Sequence, residues 1–263
     1  MKVFAIGDLH LSHTGEKPMD VFGAHWRGHA DQIAESWTRR VEPGDWVLVP
    51  GDLSWAMRMQ EAEEDLRWLD GLPGRKIIIK GNHDYWWPSI SKLRQRLAGS
   101  SIIPLQYDSV RFGAVAVGGT RLWNMPDLGV LHLDPLEQIP GGCGSDASGQ
   151  GDSGLAQIRA QDEKIFRREM GRLEQSLGTM DPDASVRIVI THFPPTDEWG
   201  SDTVVTRLLE KYGVQMCAFG HLHNLSLPRG KTWDFVRNGI RYVLVSCDAV
   251  QFAPYLLMEM PER

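Results

Sequence analysis

The chain has 263 residues, 42% of them apolar and 24% charged, ordinary globular proportions that exclude a disordered, collagen-like or coiled-coil body. Acidic residues outnumber basic ones by 34 to 28, for a formal charge of −6, and the basic residues are scattered, so a long nucleic acid is a disfavoured partner. Cys143, Cys217 and Cys247 form no CxxC pair, and Asp8 interrupts the apolar start before it reaches signal-peptide or spanning length; a soluble cytoplasmic protein with no membrane contact is expected.

One grammar repeats through the first half: a short apolar, β-branched run ends in a glycine and a polar cluster, and an amphipathic stretch follows. Strands are expected over 3–6, 46–49 and 77–79, ending in Gly7-Asp8, Gly51-Asp52 and Gly81-Asn82. Ile33, Trp37 and Val41 fall at helical spacing before Pro43-Gly44, and Met59, Ala62, Leu66 and Leu69 do so before Gly71. A third helix is expected to open at Pro88 and to carry Ile90, Leu93 and Leu97. The run 112–119 reads as a buried strand. Residues 124–154 hold three prolines and seven glycines and read as a long loop insertion. An amphipathic helix is expected over 157–177. Strands over 187–191 and 216–219 flank a helix carrying Val204, Val205, Leu208 and Leu209, and residues 232–260 read as two or three further strands. No internal repeat or linker divides the chain, so a single domain over 1–263 is expected.

Polar clusters stand at the strand ends: Asp8-Leu-His10, Gly51-Asp52, Gly81-Asn82-His83-Asp84, Thr191-His192 and Gly220-His221-Leu-His223. In an α/β sheet the strand C-termini line the crevice where ligands bind, so these clusters would converge. Oxygen donors mixed with imidazoles suit Mn, Fe or Zn better than Mg or Ca, and the absence of thiolate argues against a structural zinc site. Seven such side chains are too many for one transition metal with an open position, and suit two metals sharing a carboxylate. Singly, each has a plainer reading: Asp-x-His arises by chance, and Gly-Asp and Asn-His are common turn formers. The ordered set carries the inference.

That set, DLH, GD, GNHD, THFPP and GHLH, resembles the calcineurin-like metallophosphoesterase superfamily, with its pattern D-x-H, G-D, G-N-H-D/E, H and G-H-x-H. Every ligand position between Asp8 and His223 matches, and GDLSWAM and GNHDYWW are similar to uncharacterised bacterial predicted phosphohydrolases. The resemblance implies a four-layer αββα sandwich with two central mixed β-sheets. It implies two divalent or trivalent transition-metal ions (Mn, Fe or Zn), one held by Asp8, His10, Asp52 and His223 and the other by Asp52, Asn82, His192 and His221, with Asp52 as the bridge. The implied activity is hydrolysis of phosphoric mono- or diesters by a metal-bridging hydroxide, with His83 stabilising charge or protonating the leaving oxygen.

One departure matters. The protein serine/threonine phosphatases resemble G-D-x-x-D-R-G at the second motif, whereas here Trp55 replaces the acid and Ala56 the arginine. A protein-phosphatase role is therefore in doubt, and the partner that orients His83 is open between Asp84 and a backbone carbonyl.

Outside the motifs, His29 and His132 read as surface or capping residues, while His13 and His25 follow the DLH loop and could reach substrate. Trp86, Trp87 and Trp123 read as core residues, with a stacking wall for a base or aryl group as the alternative for Trp86 and Trp87. Arg121 is the candidate cation for a substrate phosphate, weighed against a surface ion pair. The expected partner is a small phosphorylated, possibly nucleotide-like substrate. The rival readings are a nuclease acting on short nucleic acids and a non-catalytic metal-binding scaffold.

Overall fold

The computed structural model describes residues 1–14, 17–125, 152–197, 199–224 and 233–260. Two mixed sheets dominate it. In the first, β1 (Lys2–Ala5), β2 (Trp46–Val49), β3 (Arg75–Ile78) and β4 (Ile102–Pro104) run parallel, and β11 (Tyr255–Glu259) pairs antiparallel with β1. In the second, β6 (Val115–Thr120), β7 (Val186–Thr191), β8 (Met216–Phe219) and β10 (Ile240–Leu244) run parallel, and β5 (Ser109–Phe112) and β9 (Asp234–Arg237) close the edges antiparallel.

The period of two along the second sheet sets the layers. Val115, Val117, Ile188, Ile190, Met216, Ala218 and Val243 face one core, which they share with the first sheet. Their alternates Ala116, Val189, Cys217, Phe219 and Leu244 face another, which they share with Phe166, Leu173 and Leu177 of α4 (Asp152–Gly178) and Val205 and Leu209 of α5 (Val204–Lys211). Every residue of β2 is buried, as a parallel strand covered on both faces must be. Its cover is α1 (His29–Arg40), through Ile33 and Trp37, and α2 (Met59–Gly71), through Leu66 and Leu69, with Leu93 of α3 (Ile90–Arg96) in the same cluster. The result is the four-layer αββα sandwich.

At the C-terminal ends of their strands the two sheets are tied together. The Gly7 N–H donates to Val245 O at 2.7 Å, and the Cys247 N–H donates to Gly7 O at 3.0 Å. The loops after β1, β2, β3, β7 and β8 therefore meet along one seam. Among the described residues, no helix is long and apolar enough to cross a membrane.

Several boundaries differ from expectation. The run 112–119 is a hairpin, with Phe112 closing β5 and a turn at Gly113-Ala114 before β6. The third helix begins at Ile90, after Ser89, two residues past Pro88. The tail holds three strands, within the expected two or three, whereas α4 starts at Asp152, inside the stretch read as loop. Of the expected loop over 124–154, residues 126–151 lie outside the described residues, and His132 with them.

Candidate metal centre

The chain turns sharply where each strand ends. Asp8, His10, Asp52 and His221 all adopt left-handed backbone conformations, with φ of 56°, 45°, 50° and 74°. Such values are costly for residues with a Cβ and persist where the surroundings enforce them. Two glycines make the turns possible by letting carboxylates lie flat on the backbone. A Cβ at Gly81 would stand 2.0 Å from Asp52 Oδ1, and one at Gly220 would stand 2.2 Å from Asp8 Oδ2. The glycines of GNHD and GHLH are thus seats for the two aspartates. The carboxylates are held there by main-chain donors: the His83 N–H reaches Asp52 Oδ1 at 2.8 Å, and the His221 N–H reaches both Asp8 oxygens at 3.0 and 3.1 Å.

Six of the candidate donors close on one another. His10 Nε2 lies 3.2 Å from His223 Nε2, and His223 Nε2 lies 3.7 Å from Asp8 Oδ1. His192 Nε2 lies 3.4 Å from Asp52 Oδ2 and 2.5 Å from Asn82 Oδ1. Asp8, His10 and His223 form one group of ligand atoms within 4.8 Å of one another, and Asp8, Asp52 and His192 form a second. His221 flanks the second group, its ring 5.1 Å from that of His192 and packed on Phe193 at 4.0 Å.

The chemistry of this set fits a cation. His192 Nδ1 donates to Pro50 O at 3.0 Å and His223 Nδ1 pairs with Asp248 Oδ1 at 2.9 Å. A carbonyl or carboxylate on Nδ1 fixes the proton there and turns the Nε2 lone pair inward. Burial, followed by the neighbouring imidazoles, holds His10 and His192 well below the usual histidine range, so both are neutral. Burial also raises Asp8 well above the carboxylate range and pushes Asp52 up to about 7. Buried carboxylates and inward lone pairs crowded together are the arrangement a transition-metal ion relieves.

Around the donors lies an aromatic wall. Trp55, standing where the phosphatases have an acid, stacks on His10 at 4.8 Å and packs on His83 at 4.5 Å. Trp26 meets His10 and His223 edge-on at 6.2 and 5.5 Å. His83 itself is half-buried, 5.8 Å from His10. Asp84 is committed elsewhere: its carboxylate accepts the N–H groups of Leu53, Ser54 and Gly81 and the indole N–H of Trp86. It braces the Asp52 loop against the Asn82 loop.

The tryptophans after GNHD belong to the core. Trp86 is 3% exposed, with its indole nitrogen 2.9 Å from Asp84, and Trp87 is 7% exposed. Burial takes Trp86 out of the candidate substrate wall; Trp87 keeps an edge on a cavity beside the centre. Arg121 borders the same cavity, stacked over Trp123 at 4.4 Å and 3.7 Å from Glu169. His13 pairs with Asp65 at 2.7 Å, His29 bonds Leu9 O at 3.0 Å, and His25 is exposed beside Phe252.

Asp248 went unread in the sequence, although it obeys the same rule as the others, a carboxylate just past the apolar run of β10. Burial pushes its pKa up, but His223 and the Asn224 N–H outweigh that and hold it below the usual range.

The sequence model of the calcineurin-like phosphoesterase family matches residues 1–225. The acyl-carrier-protein phosphodiesterase PptH of Mycobacterium tuberculosis is 26% identical over 278 residues, covering 89% of this chain and 75% of its own. The gene 66 protein of Mycobacterium phage D29 is 34% identical over 84 residues, 31% of this chain and 40% of its own. Among solved structures, that of the phosphopantetheinyl hydrolase PptH from Mycobacterium tuberculosis aligns with a TM-score of 0.54 and 15% identity, covering 100% of this chain and 97% of that one; at this identity the likeness concerns the fold.

Proposed function

The chain belongs to the calcineurin-like phosphoesterases and hydrolyses phosphoric esters, and from that premise we propose that it is a dinuclear metal enzyme acting on a small phosphodiester. Asp8, His10, Asp52 and His223 would hold one transition-metal ion (Mn, Fe or Zn), and Asp52, Asn82, His192 and His221 the other. The observation that carries the reading is the convergence of His10, His223, Asp8, Asp52 and His192 into two overlapping groups that share Asp8, with Asp52 Oδ2 also 3.9 Å from His10 Nε2. When bound, such a pair of ions polarises the phosphoryl oxygens and makes a nucleophilic water available near neutral pH.

The chain's own groups do the rest. Pro50 O and Asp248 hold His192 and His223 in the tautomer that presents Nε2. Trp26 and Trp55 keep bulk water from the imidazoles, which strengthens every charge interaction inside. His83 is anchored through its backbone to Asp52 and leaned on by Trp55, and in this reading it hands a proton to the departing ester oxygen. A diester is favoured over a monoester because PptH, the relative covering most of the chain, is named a phosphodiesterase. The buried free thiols of Cys217 and Cys247 suit a reducing cytoplasm.

The test is turnover of bis(p-nitrophenyl) phosphate against p-nitrophenyl phosphate by protein loaded with manganese or zinc. The diester should be hydrolysed faster, and Asp52→Asn should lower kcat/KM by roughly 10³-fold, as loss of a shared ligand would. Metal-loaded protein that hydrolyses neither ester would sink the proposal.

A further inference from the structure

Beside the candidate centre lies a cavity of about 230 Å³ whose lining includes Lys80, Trp87, Tyr107, Arg121, Arg168 and Arg172. Its charge is unbalanced. Among the described residues of the lining a single carboxylate, Glu169, 2% exposed, is shared by Arg172 at 2.5 Å, Arg168 at 3.5 Å and Arg121 at 3.7 Å, and it also accepts the Thr120 hydroxyl at 2.8 Å. One negative charge cannot neutralise three guanidiniums and the Lys80 ammonium, and like charges gathered at a partly desolvated wall repel. This local surplus of cations occurs in a chain whose formal charge is −6.

The fold gathers the arginines deliberately. Arg168 and Arg172 are one helical turn apart on α4, so they share a face. Arg121 follows β6, and Arg172 is held over the Tyr107 ring at 4.6 Å. Trp87, Pro88 and Leu105 supply apolar surface to the same lining. The cavity also abuts the centre: Lys80 precedes Asn82 by two residues, and Arg121 O accepts the N–H groups of His192 and Phe193 at 3.2 and 2.9 Å.

We propose that this cavity binds a second phosphoryl group of the substrate, one the reaction does not touch. The preferred substrates would then be phosphodiesters that carry a further phosphate monoester on the group lying beyond the cleaved bond, as a nucleoside 3′,5′-bisphosphate ester does. Planar guanidiniums presenting forked donors match a dianionic phosphate better than a carboxylate of lower charge, and the apolar wall accepts the ring or alkyl portion between the two phosphates. The inference rests on the proposed reading that Asn82 and His192 would hold one of the ions that bind the reacting phosphoryl group.

Two measurements test it on metal-loaded, full-length protein. Calorimetric titration with inorganic phosphate should give two phosphates per chain. The Arg168→Gln/Arg172→Gln variant should bind one, while Asp52→Asn should keep the cavity phosphate. In turnover, the 5′-(p-nitrophenyl) ester of thymidine 3′,5′-bisphosphate should be preferred to that of thymidine 5′-phosphate, and the ratio of their kcat/KM values should fall roughly 10- to 100-fold in the double variant. If the double variant unfolds, Arg168→Gln alone serves, since that side chain is 53% exposed. A single phosphate on the wild type, two on the arginine variant, or an unchanged ratio would each overturn the proposal. Cavity phosphate that binds while neither ester turns over would uphold the anion site and reject the hydrolase reading instead.

Discussion

His223 Nδ1 lies 2.9 Å from Asp248 Oδ1, and the second oxygen of that carboxylate takes the Asn224 N–H at 2.8 Å. The pair spans the loops after β8 and β10, so the imidazole is fixed by a residue that is not itself a candidate ligand. A carboxylate there keeps the proton on Nδ1 and makes Nε2 a stronger donor. In Asp248→Asn the new amide can instead donate to Nδ1, which would move the proton to Nε2. The variant should bind the ion assigned to Asp8, His10, Asp52 and His223 roughly 10- to 100-fold more weakly, read by competition with a chromophoric chelator. Undiminished affinity at that site would show the contact to be merely structural.

His83 is separable from the metals. Its backbone N–H binds Asp52, and its ring packs against Trp55, so truncating the side chain leaves the main-chain anchor in place. His83→Ala should keep its full metal content by elemental analysis while kcat falls by roughly 10² to 10⁴ on an alkyl ester. An activated aryl ester should lose less, because its leaving group needs little protonation. Loss of metal, or full turnover on the alkyl ester, would refute the role.

Trp86 donates its indole N–H to the carboxylate that braces the Asp52 and Asn82 loops, and it is buried in the core shared by both sheets. Trp86→Leu removes both the packing and one donor to Asp84. It should cost about 2 to 4 kcal/mol of stability, a fall in Tm of roughly 5 to 15 °C for a chain of this size. KM for a nucleotide ester should stay unchanged. A raised KM with Tm intact would restore the stacking role that burial argues against.

The elements that read correctly from the sequence are those whose burial is uniform. The run WVLV of β2 and the run MCAF of β8 are covered on both faces, and their expected limits of 46–49 and 216–219 coincide with the strands. The β5–β6 hairpin was hidden because its turn, Gly113-Ala114, is as apolar as the strands it joins, and β4 has only three residues in which to show a pattern. The site was legible where a ligand-type residue follows a strand by one to four residues within a DLH, GD, GNHD, TH or GHLH motif, as Asp8, Asp52, Asn82, His192 and His221 do; Asp248 follows β10 at the same distance but outside any such motif. Position in the chain cannot show which faces meet. The stacking of Trp55 on His10, the reach of Asp84 to the Asp52 loop, and the approach of Arg121 to Glu169 all arise between segments far apart in sequence.

The buried carboxylates set how metal binding responds to pH. Asp52 titrates at about 7 in the folded chain, against 3.8 in its unperturbed state, and Asp8 is shifted the same way. The metal-free folded protein therefore holds more protons than the unfolded chain from about pH 4 upward, and these groups lower its stability as pH rises, with the full cost of Asp52 present above pH 7. His10 and His192 are shifted down. They stay neutral where the unfolded chain begins to protonate, so their cost appears as pH falls below about 6.5. A cation needs ionised carboxylates and neutral imidazoles, and His10 and His192 are already neutral. The aspartates then supply protons on binding, and the share from Asp52 falls as pH rises through about 7, so release should be greater at pH 6 than at pH 8.5. Calorimetry of manganese binding in buffers of different ionisation enthalpy measures that release directly, and the gain in Tm on saturation should be larger at pH 8 than at pH 5.5. Equal proton release at both pH values, or release undiminished in Asp52→Asn, would show that the protons come from elsewhere and that the aspartates are ionised before the metal arrives.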